Sequence, residues 1–307
     1  MTQGKPVKRE SLRLAVMEAE RTLAAAGVDS PRVDAELLAA HVLDVPRGRL
    51  LLQPLIDARQ AARLAELVKR RAAREPLQHV MGTAPFGPLT LAVGPGVFTP
   101  RPETELLLEW GLAAVAQRSA PLVVDLCTGS GALAIAVAQS RPDAVVHAVE
   151  LDPAAAAFAG RNIAAHVAAG GSEVHLHVAD VRSPGLLVDL ESRVDLVLCN
   201  PPYVPDGTPV PPEVAGGDPP GAVFGGPDGL DVIRAVVGTA AGLLRYGGRL
   251  GIEHDETQGE SVPELLRRRR VLAEVEDHAD LAGRPRFVTA RRVPARAAPG
   301  RHPHSTR

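Results

Sequence analysis

Aromatic side chains are scarce in this chain: one Trp, two Tyr and five Phe among 307 residues. A core of ordinary size must therefore be assembled from Ala, Val and Leu, and a hydrophobic content of 45% supplies enough of them. Cysteine is nearly absent. Cys127 and Cys199 are the only two and lie far apart in sequence, which excludes a disulfide scaffold and makes a reducing cytoplasm the expected location. Neither sign of charge dominates, with 34 Lys and Arg against 36 Asp and Glu. A protein whose affinity comes mainly from many phosphate contacts would be more basic. No segment approaches the roughly 20 continuous apolar residues of a membrane span. The start, Met1 to Glu10, is too polar and charged for a signal peptide.

What is present divides the chain into four stretches. Residues 1–75 read as a small helical bundle. Leu12, Val16, Ala19 and Leu23 form one apolar stripe that Gly27 ends. Ser30-Pro31 has the form of an N-cap followed by proline at the first helical position. The helix it opens carries Val33, Leu37, Leu38 and His41, and a third runs from about Asp57 to Arg74 with Ala61, Leu64, Leu67 and Val68 inward. No strand signal interrupts this stretch. Residues 76–102, punctuated by Gly and Pro, read as a hairpin or extended connector. Residues 103–293 alternate helices with short apolar runs, and 294–307 form a Pro-, Arg- and Ala-rich tail expected to be disordered.

The alternating stretch holds seven candidate strands: Leu122–Leu126, Val145–Glu150, Val174–Val178, Val194–Cys199, Arg249–Glu253, Val271–Glu276 and Arg286–Thr289. Strand–helix alternation implies an α/β domain whose mostly parallel sheet is covered on both faces. The short link between the last two runs allows a reversed final strand.

Two loops at strand ends carry the chemistry. In Val123 to Ala134 an apolar strand enters a glycine-rich turn and then an alanine-rich helix. Gly129 and Gly131 allow a sharp turn and close approach of a ligand, and the N–H groups of the next helix favour an anionic group. Glu150, closing the next strand, is placed to accept hydrogen bonds from a ribose, and Asp180, after the third, to reach an adenine amino group. Gly129, Gly131 and Ala134 fit a dinucleotide fingerprint equally well, so this turn alone leaves a methyltransferase and a nucleotide-dependent reductase open.

The second loop, Asn200-Pro201-Pro202-Tyr203, follows the fourth strand. Two prolines stiffen the backbone and hold carbonyls outward, Asn200 adds a side-chain acceptor, and Tyr203 offers a flat face. Two acceptors, Asn200 and the Pro201 carbonyl, can each take one N–H of a planar NH2 group. That fixes a poorly nucleophilic nitrogen and stabilises the charge that develops when it is alkylated. A reductase has no use for the arrangement. Cys199 reads as a packed apolar residue, and His175 with His177 as a solvated or packed face rather than a metal pair; no metal site is expected.

At these residues the sequence resembles the PrmC/HemK family, the glutamine-N5 methyltransferases of peptide chain release factors. Further blocks carry the resemblance: Arg74 to Gly82, Thr99 to Glu105, Pro212 to Pro219, Gly225 to Asp231, and Glu253-His254 with Gln258-Gly259. The resemblance implies a seven-stranded, Rossmann-like class I methyltransferase domain. It implies that S-adenosyl-L-methionine is contacted by Cys127, Thr128, Gly129, Ser130, Gly131, Glu150, Asp180, Val181 and Asn200, and that Asn200 to Tyr203 hold a substrate glutamine. The implied substrate is the Gly-Gly-Gln loop of class 1 release factors, with the helical region helping to dock that protein. Neither direct nucleic-acid binding nor a membrane is expected. Cys127 stands where many members carry glycine and is tolerable there if its φ is negative. Asn-Pro-Pro-Tyr also occurs in adenine-N6 and guanine-N2 methyltransferases of nucleic acids, the competing reading. Such enzymes usually need basic patches and a pocket for a flipped base.

Overall fold

A computed structural model describes residues 9–294. The expected tail therefore lies outside the described residues except for its first position. The described residues form two compact units: one of residues 9–84, 93–99 and 209–218, the other of 85–92, 100–208 and 219–294.

The first unit contains β1 (Arg9–Ser11), α1 (Leu12–Ala25), α2 (Pro31–Leu43), β2 (Leu55–Asp57), α3 (Ala58–Ala72) and α4 (Leu77–Met81). The expected stripe of α1 is the buried one, Leu12, Val16, Ala19 and Leu23. In α2 the buried residues are Asp34, Ala35, Leu38, Ala39 and Ala40, and His41 is exposed, so the stripe is rotated from the expected one. The buried face of α2 is largely Ala, so it carries no period of large apolar residues in the sequence. Ser30 makes no side-chain cap; its carbonyl accepts from Asp34 N–H at 3.0 Å instead. Asp57 does cap α3, in a reciprocal pair with Gln60. The strands β1 and β2, paired antiparallel, correct the all-helical expectation; at three residues each they are too short to show a period.

Residues 209–218 belong to this unit because of buried charge. Arg71, only 6% exposed, donates to Asp34 at 2.8 Å and lies 2.9 Å from Glu213, which opens α8 (Pro212–Gly217). Arg74 holds the other oxygen of Glu213 at 2.8 Å. At the end of the segment Asp218 accepts from Thr99 N–H at 3.2 Å, and the Thr99 hydroxyl is 3.2 Å from His79 Nε2.

The division of the chain falls inside β3 (Thr83–Phe86), which pairs with β4 (Leu89–Ala92) as the expected hairpin. The second unit continues with α5 (Thr104–Ala114), β5 (Leu122–Leu126), α6 (Ala132–Ser140), β6 (Val145–Glu150), α7 (Pro153–Ala168), β7 (Val174–Val178) and β8 (Val194–Cys199). After α9 (Pro220–Val223) and α10 (Asp231–Leu243) come β9 (Leu244–Glu253), α11 (Ser261–Arg267), β10 (Leu272–Ala279) and β11 (Pro285–Arg292). The seven strands are ordered β10-β11-β9-β8-β5-β6-β7. Six run in one direction, and β11 alone is reversed, antiparallel between β9 and β10.

Both faces of this sheet are covered. One core joins α5, α6 and α7 to the strands, and the other lies beneath α10 and α11. Ala132 to Ala138 of α6 are all buried, so this helix is apolar all round, as a fully covered helix must be. The single tryptophan, Trp110 on α5, packs with its ring 6.5 Å from those of Phe287 and His278. Strand order reverses between β5 and β8, where such sheets open a crevice at the carboxyl ends.

Replacing Arg71 by Ala leaves two partly buried carboxylates without their shared cation. We expect the first unit to lose about 3–5 kcal/mol of stability, measured by chemical denaturation, with faster proteolysis between 209 and 218.

Candidate active site

Parallel register brings the two sequence-predicted loops together. Leu126 of β5 stands opposite Cys199 of β8, so Cys127 and Asn200 leave adjacent strands at one edge. Burial pushes the Cys199 thiol well above the ordinary thiol range, consistent with a packed, unreactive group.

The glycine turn is braced from beneath. Asp125, 1% exposed, accepts from the Thr128 hydroxyl and, at 3.2 Å, from Ala134 N–H at the start of α6. Its other oxygen, Oδ1, is buried without a partner among the described residues. Burial raises the Asp125 carboxyl to about 7. Thr128 N–H donates to Val149 O at 2.9 Å, and Gly131 N–H to Thr128 O at 2.9 Å. Ser130, buried, has its carbonyl held by Asn162 Nδ2 at 2.8 Å. Asn162, on α7, gave no sequence signal, because a lone Asn inside a helix reads as a surface residue.

Cys127 corrects an expectation. Its φ is 61°, in the left-handed region, so the residue sits where glycine would be unstrained. Glu150, closing β6, accepts from Gly129 N–H and Asp152 N–H, each at 2.8 Å, and its carboxyl is raised, chiefly by burial. Asp180 is tied to Arg182 at 3.0 Å, and this pairing holds its carboxyl below the usual range. Val181 is 7% exposed and packs into the core beneath α10, with its carbonyl accepting from Thr239.

Around Asn200 to Tyr203 the structure gives partners to residues that the sequence had marked only as parts of resemblance blocks. Asn200 Nδ2 donates to Thr104 Oγ1 at 3.0 Å, and Thr104 Oγ1 donates to Glu253 Oε2 at 2.7 Å. The Tyr203 hydroxyl donates to Glu253 Oε1 at 3.1 Å. Glu253, 1% exposed, is raised to about 7 by burial. Burial and that carboxylate push the Tyr203 phenol above its ordinary range, so it remains a neutral donor. The Tyr203 carbonyl accepts from Gln258 Nε2 at 2.9 Å.

Two glycines have a steric reason here. A Cβ on Gly225 would lie 2.6 Å from Pro202 O, and one on Gly229 only 2.1 Å from Tyr203 O. The Gly-Gly-Pro-Asp-Gly block thus backs the proline loop with bare main chain. Pro201 is buried, while Asn200, Pro202 and Tyr203 remain partly accessible. The arrangement can hold a planar amide between a side-chain and a main-chain acceptor beside a turn suited to a nucleoside.

His175 and His177 are joined by His147 from β6, whose Nδ1 lies 2.9 Å from His177 Nε2. Burial and the neighbouring imidazoles depress His147 to about 4, so it is neutral at pH 7. Among the described residues no His, Cys, Asp or Glu group is arranged to hold a metal ion.

The chain matches the family model of the PrmC N-terminal domain over residues 15–82 and that of the methyltransferase small domain over residues 89–210. It is 54% identical over 282 residues to a release factor glutamine methyltransferase of Mycolicibacterium smegmatis, covering 92% of this chain and 98% of that one. It is 49% identical over 282 residues to the protein of that name from Streptomyces coelicolor, with 91% and 97% covered. Among solved structures, a Thermus thermophilus 16S rRNA N2 G1207 methyltransferase in complex with AdoMet and guanosine aligns at a TM-score of 0.48 and 23% identity, over 68% of this chain and 49% of that one.

Left-handed backbone costs a side chain roughly 1–2 kcal/mol. Cys127→Gly should therefore be more stable than Cys127→Ala by on the order of 1 kcal/mol, read as a higher thermal midpoint for the glycine variant.

Proposed function

The chain belongs to the release factor glutamine methyltransferase family, and on that premise we propose that it methylates the N5 amide nitrogen of the glutamine in the Gly-Gly-Gln motif of class 1 peptide chain release factors. The methyl donor is S-adenosyl-L-methionine. The observation that carries this reading is the pairing of Leu126 with Cys199, which sets Asn200 and Pro201 beside the glycine turn.

The residues present fit that cofactor. No atom lies within 4 Å of a Cβ built on Gly129, so the turn has room for a ligand. The orphaned Asp125 oxygen lies at the root of the same turn, where a cationic amino group would satisfy it. Cys127, Thr128, Gly129, Ser130 and Gly131 would hold the amino-acid end, Glu150 the ribose hydroxyls, and the Asp180-Val181 segment with Asn200 the remaining contacts. When bound, the cofactor supplies a methyl group on a positively charged sulfur.

The protein's own part is to bind and orient the amide. Asn200 Oδ1 and the Pro201 carbonyl each accept one N–H of the glutamine side chain, with Pro202 keeping the turn rigid. The amide nitrogen is a weak nucleophile because its lone pair is delocalised. Two acceptors increase electron density on it and stabilise the positive charge that grows as the new N–C bond forms. Tyr203 lines the site with its hydroxyl fixed on Glu253. Alignment of the two reactants contributes several kcal/mol to the barrier reduction. The proton is lost after the bond forms, so no strong base is required.

The proposed division of labour assigns 1–75 to docking the release factor, 76–102 to the connection and 103–293 to catalysis. A net charge of −2 suits a protein substrate better than a long phosphate backbone. No described helix is long and apolar enough to cross a membrane, and a cytoplasmic location fits a partner engaged in translation.

Mass spectrometry of a release factor incubated with the protein and labelled cofactor should show one methyl group on the glutamine of Gly-Gly-Gln. Labelling of DNA or RNA alone would overturn the proposal. Asn200→Ala should lower kcat by about 10²–10³-fold, while calorimetry shows a smaller loss of cofactor binding than of turnover. Glu150→Ala should do the converse, weakening cofactor binding by about ten- to a hundredfold.

A further inference from the structure

We propose that Glu253 is a positioning residue for methyl transfer: acting through the Thr104 hydroxyl, it fixes which end of the Asn200 side-chain amide faces the substrate. The inference deepens the proposed function and rests on Asn200 being the group that holds the substrate amide.

The logic follows from donors and acceptors. An ionised carboxylate only accepts hydrogen bonds, and a threonine hydroxyl has a single hydrogen to give. With Glu253 ionised, that hydrogen goes to Glu253 Oε2 at 2.7 Å. The Thr104 oxygen is then left only as an acceptor. It must be met by the donor end of Asn200, as observed at 3.0 Å to Nδ2. Oδ1, the acceptor, is thereby the atom left to receive the substrate N–H. Reversal of the amide would set Oδ1 against Thr104 and present two donors to a substrate that also brings donors.

Protonation of Glu253 removes the constraint. Its own O–H can then donate to Thr104, whose hydrogen becomes free to bond Asn200 Oδ1, and the amide can turn over. The orientation of Asn200 is therefore tied to the charge on a residue it does not touch. The second oxygen of Glu253 accepts from Tyr203 at 3.1 Å, which prevents the carboxylate from rotating away from Thr104.

Groups from several elements face this carboxyl. Arg286 of β11 favours its charge, and Glu103 at the entry to α5 opposes it. Tyr203, and Cys199 of β8, stay neutral because burial raises both. Burial of Glu253 itself outweighs these neighbours and sets its titration at about 7. The competent form is the ionised one, so the fraction of correctly oriented Asn200 rises as pH rises through neutrality.

Full-length protein, a release factor substrate and three variants test this. Wild-type kcat should climb with pH through about 7, and Glu253→Gln should flatten that step while cofactor binding by calorimetry is unchanged. Thr104→Ala should lower kcat by on the order of tenfold or more, and Thr104→Ser, which restores the hydroxyl, should recover most of it. The Asn200 side-chain amide resonances, followed by NMR without substrate, should titrate near neutrality in wild type and not in Glu253→Gln. That readout needs no turnover, and thermal unfolding identifies any variant that fails to fold. Equal kcat for Thr104→Ala and Thr104→Ser, or an intact pH step in Glu253→Gln, overturns the inference. Loss of the proposed function looks different: wild-type protein would then leave release factor glutamine unlabelled.

Discussion

The site depends on the parallel pairing of β5 with β8. With Leu126 opposite Cys199, the glycine turn and the proline loop emerge side by side at one sheet edge. Side chains alternate along a strand, so a slip of one residue would turn Asp125 away from Thr128 and α6 and carry Asn200 off Thr104. Burial holds both strands in the interior: all six residues of β8 and four of the five in β5 are inaccessible. The placement of the two loops thus rests on ordinary Val and Leu packing.

A second consequence of burial is the pair of carboxyls at strand ends. Asp125 and Glu253 are each raised to about 7 because the surrounding core penalises charge. A raised native value means that their contribution to stability is present at low pH and is lost as pH rises through about 7. The fold therefore tolerates a destabilising term near neutrality. Each acid has a structural use that offsets it: Asp125 braces the turn from below, and Glu253 anchors Thr104 and Tyr203.

Much of this architecture was legible in the chain. The strand runs stand out because a doubly covered sheet demands continuous Val and Leu, and the observed β5 to β8 share the expected boundaries. The N-terminal stripe of α1 was legible for the same reason of period. What escaped was set by contacts distant in sequence or by small residues. β1 and β2 are too short to carry a pattern, the buried face of α2 is largely Ala, and 209–218 joins the helical unit through Arg71 and Glu213. In the site, the motif residues announced themselves by unusual composition. Asn162 did not, and Thr104, Glu253 and Gln258 stood out only as members of blocks that carry the family resemblance, because their importance lies in which polar atom they meet. Cys127 shows the opposite limit: its identity was plain, and its left-handed φ was not.

The poverty in aromatics leaves Trp110 as the sole indole, seated on α5 against Phe287 and His278. The helix that carries it begins at Thr104, the middle member of the hydrogen-bonded chain from Asn200 to Glu253. Emission excited at the red edge of the indole band, beyond tyrosine absorption, therefore comes from one address. The molecule carries an intrinsic optical gauge of the helix that presents Thr104 to Asn200, with no fluorophore to be attached and none to be removed.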